Sequence, residues 1–105
     1  MQVINIRESY DVYGGRPRGG RDPRSLKIGE HGWLGNPFRV STESERADAI
    51  AQFKRYFWER INSDPAYLNA VRQLSDKRVA CFCKPKACHL DVIAAWFEAG
   101  CPLRE

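Results

Sequence analysis

The sequence predicts a small single α/β domain, residues 1–105, with a few-stranded, largely parallel sheet and about three helices. Three observations carry this expectation. A β-branched run at 3–6 and an apolar run at 78–83 have the length and composition of strands. Segments of helical period lie between and after them. Strands separated by helices, with no tight turn to join them, pair in parallel. If the first and last strands are neighbours, the crossover between them is right-handed. A chain of 105 residues with 43% hydrophobic content suits one core and not two.

The elements follow in order. Val3, Ile4 and Ile6 form the first strand. Asp11-Val12-Tyr13 is a short second one, broken by Gly14-Gly15. Residues 14–35 are rich in Gly, Pro and Arg, without sustained period, and read as a long loop. Loops longer than about 15 residues in compact domains are usually functional or disordered. Thr42 and Glu45 have the spacing of a capping box. The helix after them runs to about Asn62, with Ala47, Ile50, Phe53, Phe57 and Ile61 as its apolar stripe. Ser63-Asp64-Pro65 ends that helix and starts another, with Pro at its first position and Tyr67, Leu68, Val71 and Leu74 facing inward. After the strand at 78–83, a last helix begins near Lys86 or Ala87 and ends at Ala99. Leu90, Ile93, Ala94 and Phe97 are its buried face, Gly100 its C′ residue, and Pro102 blocks extension.

Composition bounds the function. The net charge of +4 is compatible with an anionic partner but does not establish one. No run approaches the length of a membrane span, and the first residues lack the basic-then-apolar pattern of a secretory leader. The expectation is a soluble cytoplasmic protein. Three of the four cysteines fall within eight residues, which suits a metal or thiol site better than a disulfide framework.

That segment is Cys81-Phe82-Cys83-Lys84-Pro85-Lys86-Ala87-Cys88-His89, where a strand hands over to a helix. Strand alternation puts Cys81 and Cys83 on one face. Cys88 and His89 fall at a helix start, where unpaired N–H groups favour an anion. Two readings stand. Cys81, Cys83, Cys88 and His89 form a complete donor set for tetrahedral zinc. On a helix, however, Cys88 and His89 point about 100° apart, so both reach one ion only if His89 bends back. Alternatively Cys83 or Cys88 is a reactive thiol, its pKa lowered by the helix terminus and by Lys86 or His89. Cys81, mid-strand beside Val79, reads as core.

The loop carries Arg16, Arg18, Arg21 and Arg24 among glycines. Arg forks match phosphate, and glycine lets backbone N–H groups approach a ligand. The loop matches no named phosphate-binding spacing, so it is either an anion clamp or a solvated, mobile segment. Asn36 precedes Pro37; its amide either binds a ligand or caps its own backbone. Among the aromatics, Trp58 and Trp33 are the candidates for exposed contacts to a partner.

Tyr13-x-Gly15-Arg16, then Gly35-Asn36-Pro37-Phe38, then Cys81-x-Cys83-x-Pro85-x-x-Cys88-His89-x-Asp91-Val92 together resemble a small family of bacterial and phage proteins known only as a domain of unknown function. The resemblance covers nearly the whole chain and supplies no reaction. It implies that Arg16, Asn36, Pro37, Cys83, Cys88, His89 and Asp91 are the positions its motifs mark, and it favours Arg16 and Asn36, with Gly15 and Tyr13 beside them, as ligand contacts. For a phage-encoded protein the compartment would be the host cytoplasm. The leading expectation is binding of a phosphate-bearing, nucleotide-like ligand beside the Cys/His turn, at the carboxyl end of a strand. If the site is catalytic, as in an enzyme of nucleotide or nucleic-acid modification, His89 is the general acid or base. Cys88 would be a nucleophile, and Asp91 would orient His89 or act as a carboxylate. The alternatives are a zinc-stabilised nucleic-acid-binding module without catalysis, and a phage accessory protein that binds a host protein.

Overall fold

A computed structural model describes residues 1–103. Its sheet has three strands: β1 (Gln2–Asn5), β2 (Val12–Tyr13) and β3 (Arg78–Cys81). The spatial order is β1-β3-β2, and β3 pairs in parallel with both neighbours. Ile4 lies beside Ala80, and Tyr13 shares that partner from the other edge. All three strands therefore end on the same side. The fold class predicted from the sequence is the one observed.

As the central strand, β3 is covered on both faces, and Val79, Ala80 and Cys81 are all buried. It stops two residues earlier than expected. After Cys81 the chain turns, and Lys86 N–H closes that turn onto Cys83 C=O. Strand alternation consequently does not relate Cys81 to Cys83.

Helix α1 (Arg46–Ser63) is entered through a 3-10 turn at Glu43–Glu45, whose Glu45 carboxylate accepts from the Thr42 N–H. Its buried residues are Ala49, Phe53, Phe57 and Ile61, stepping by four throughout. This four-residue row leaves Ala47 exposed and sets Ile50 at its edge, half-buried. Asp64 caps α2 (Pro65–Arg72), its side chain accepting from Tyr67 N–H with Pro65 at the first position. Helix α3 (Leu90–Glu98) starts later than the sequence suggested, because residues 84–89 are spent on turns. Trp96 takes a core position that its neighbours Ala94 and Phe97 share only in part. Its indole N–H donates to Pro102 C=O at 2.7 Å, and its ring meets Phe57 edge-on. Gly100, at φ +89°, ends α3 in the left-handed region as anticipated.

Residues 14–35 are neither helix nor free loop. Two 3-10 turns, Arg18–Gly20 and Pro23–Ser25, shape their outer part, and Leu26, Trp33 and Leu34 enter the core. Trp33 is thus buried, not an exposed anchor, and its ring meets Tyr67 edge-on. Trp58 is half-buried against the same core. The loop's ends pass so close that a Cβ on Gly35 would stand 2.8 Å from Gly15 O and 2.9 Å from the Arg16 Cα. No helix among the described residues is long and apolar enough to cross a membrane.

Candidate functional site

Parallel strands place their carboxyl ends together, and a cleft of about 380 Å³ opens there. Its walls come from both ends of the long loop, the first turns of α1 and the β3–α3 connection. Tyr13, Gly15 and Arg16 stand on one side, with Asn36, Phe38 and Arg39 from the loop's return. Cys81, Phe82, Cys83, Cys88 and His89 come from the connection. Of the residues singled out in the sequence, Asp91 stays out of the cleft, as do Arg18, Arg21, Arg24, Trp33 and Trp58. Arg39, Arg46 and Ile50 join it without having been anticipated. The signal for Arg46 was available: a cation in the first turn of a helix works against the dipole unless something holds it.

His89 sets the geometry. It is buried just before α3, and its Nε2 lies 2.9 Å from Gly14 O and 3.0 Å from Leu34 O. Both partners only accept, so Nε2 carries the proton and donates between them. One imidazole thereby ties the two ends of the long loop to α3. Burial holds its pKa down to about 4, so the ring is neutral at pH 7. Its free nitrogen, Nδ1, lies 3.6 Å from Cys88 Sγ. Cys88 and His89 precede the helix, so the 100° separation of adjacent helical residues does not apply, and the two side chains meet.

Asp91 does not orient His89. One carboxylate oxygen accepts from Lys84 Nζ at 2.6 Å and the other from Cys88 N–H at 3.0 Å, closing the turn that leads into α3. Asn36 is similarly engaged. Its Oδ1 accepts from Phe38 N–H, its Nδ2 donates to Ala49 O, and its own C=O accepts from Arg16 Nη1 at 2.6 Å. The Asn36 amide is occupied with backbone, which is the capping role, while its residue still forms part of the wall.

The four cysteines are free thiols. Cys81 lies on the cleft floor. The neighbouring Cys88 thiol, and then the backbone N–H groups of Lys84 and Cys83, hold its pKa below the ordinary thiol value against the opposing effect of burial. Cys88, beside Cys81 and buried, is pushed up. Cys81 is buried in the core, as the sequence reading had it, and it also borders the cleft. Among the described residues, no three His, Cys, Asp or Glu side chains gather where they would hold a metal ion. With His89 Nε2 engaged by two carbonyls, Nδ1 is the nitrogen that His89 turns toward the Cys88 thiol.

The cleft's charge has one sign. Its lining holds Arg16, Arg39 and Arg46 and no carboxylate. Arg46 is anchored: it donates to Glu43 and to Ala87 O, and Glu43 and then the Cys83 sulfur raise its pKa. Arg16 and Arg39 have no carboxylate within ion-pair distance among the described residues. Partial burial and the nearby Arg39 charge lower the Arg16 pKa. An anion placed between them would relieve that repulsion.

Residues 7–99 match the family model described as Domain of unknown function (DUF4326). The chain is also similar to the uncharacterized 12.4 kDa protein in the nrdA-td intergenic region of Enterobacteria phage T4, at 43% identity over 49 residues. That segment is 47% of this chain and 45% of the phage protein, so the match spans less than half of either. No solved structure matches.

Proposed function

This chain belongs to the family described as Domain of unknown function (DUF4326), and we propose that it binds a phosphate-bearing, nucleotide-like ligand in the cleft beyond β2 and β3. One observation carries the reading: three arginines and no carboxylate line a partly apolar cleft of small-molecule size. Arg16 is the central contact. Its Nη1 is fixed by Asn36 C=O, which leaves the rest of a pre-positioned guanidinium for two phosphate oxygens. Arg39 supplies the second charge, and Arg46 borders the same space from α1. The floor, made by Cys81, Cys88 and Ile50, suits the uncharged part of such a ligand. A cleft of this volume favours one nucleotide over a nucleic-acid strand, which would need a continuous groove.

Isothermal titration calorimetry with nucleoside monophosphates at low salt tests this. Arg16→Ala should weaken binding by about tenfold or more, and affinity should fall as salt is raised. If no phosphate compound binds the intact protein at millimolar concentration in low salt, the proposal is wrong.

A further inference from the structure

Besides the His89 imidazole, three aromatic rings line the cleft: Tyr13, Phe38 and Phe82. Two are already engaged. Tyr13 stacks on His31 with centroids 4.5 Å apart and planes 8° from parallel, and its hydroxyl donates to Arg16 C=O at 2.8 Å. Phe38 has the Arg24 guanidinium over its ring at 5.7 Å and Tyr56 against it edge-on. Phe82 differs. It is 67% exposed, the most exposed large apolar side chain among the described residues. Its aromatic contact is the perpendicular one with Tyr13, at 6.1 Å and 81°. Tyr13, itself locked, braces Phe82 without stacking on it.

An exposed phenyl ring is costly in water unless something covers it. Phe82 follows Cys81 directly, on the wall of a cleft whose charge is entirely positive. Val40, another exposed apolar side chain, lines the same cleft. Apolar surface beside paired guanidinium groups matches a ligand with a flat uncharged ring at one end and an anion at the other. We propose that Phe82 is the platform on which a nucleobase stacks while the arginines hold the phosphate. This rests on the phosphate-binding reading and narrows its ligand from any phosphorylated compound to one bearing an aromatic heterocycle. Stacking is tolerant of base identity, because every base offers a π face.

The experiment compares four nucleoside monophosphates with ribose 5-phosphate, using calorimetry on the wild-type protein, Phe82→Ala and Phe82→Tyr. At least one nucleotide should bind the wild type about tenfold tighter than ribose 5-phosphate. Phe82→Ala should abolish that preference while leaving ribose 5-phosphate affinity unchanged, and Phe82→Tyr should restore it. Equal affinity of the wild type for nucleotides and ribose 5-phosphate would overturn the stacking role and leave phosphate binding intact. So would a Phe82→Ala variant that keeps its preference, or one that loses both ligands equally. Failure of every compound to bind overturns both proposals together.

Discussion

His89 was legible in the sequence as a residue of the strand-to-helix turn, but its place between two carbonyls was not. The adjacency of Cys88 and His89 pointed to chemistry, and a histidine's ordinary pKa pointed to proton transfer. Burial depends on the fold, and here it removes the charge and makes the ring a bridge between Gly14 and Leu34. A measurable pH dependence follows. As pH falls through about 6.5, His89 in the unfolded chain takes up a proton, whereas the folded protein resists until about 4. Its contribution is therefore complete above about 6.5 and drains away between there and 4, by on the order of 3 kcal/mol. Urea unfolding at pH 7 and pH 5 should show this loss. His89→Ala should flatten that interval and cost about 1–3 kcal/mol at pH 7, since Gly14 O and Leu34 O lose their shared donor. Asp22, Asp64 and Glu43, whose pKa values hydrogen bonds hold low, act in both proteins and cancel in the comparison. An unchanged slope in the variant would show that His89 does not titrate in this way.

At the scale of elements, helix existence and order were readable because the apolar spacing of α1 and α2 is strong and their caps are explicit. Asp64 illustrates this: Ser63-Asp64-Pro65 announces a cap, and the structure has Asp64 accepting from Tyr67 N–H with Arg60 beside it at 3.2 Å. Asp64→Ala should cost about 1 kcal/mol, seen as a lowered thermal midpoint, and Asp64→Asn should recover most of it. Boundaries around the site were less readable. Strand β3 ends early and α3 begins late because residues 82–89 are fixed by long-range partners, such as Asn5 Nδ2 donating to Lys84 O at 2.8 Å. Periodicity reports on faces, not on such contacts. For the same reason the loop at 14–35 seemed free. Its anchors Leu26, Trp33 and Leu34 are isolated in sequence and have no repeat to betray them.

For the molecule as a whole, a single core joins loop, sheet and helices, with Phe57 at its centre. That ring is fully buried and touches Phe53, Tyr67 and Trp96. Truncating it should cost about 3–5 kcal/mol. Domains of this size hold about 5–15 kcal/mol in total, so Phe57→Ala should lose a large share of its urea midpoint. A loss below about 1 kcal/mol would mean that the core is not shared in this way.

The strand order has a further meaning during synthesis. Both β1 and β2 find their hydrogen-bonding partner only in β3, the last strand in sequence among the described residues. While the ribosome extends the chain, residues 1–77 hold two strands with nowhere to pair, and the cleft has no floor. Helices α1 and α2 can form by then, since they are local. The sheet waits for residues 78–81, and the staple on the loop waits for His89. The sheet therefore completes only once residues 78–81 have left the ribosome, and the edges of β1 and β2 stay unpaired until then.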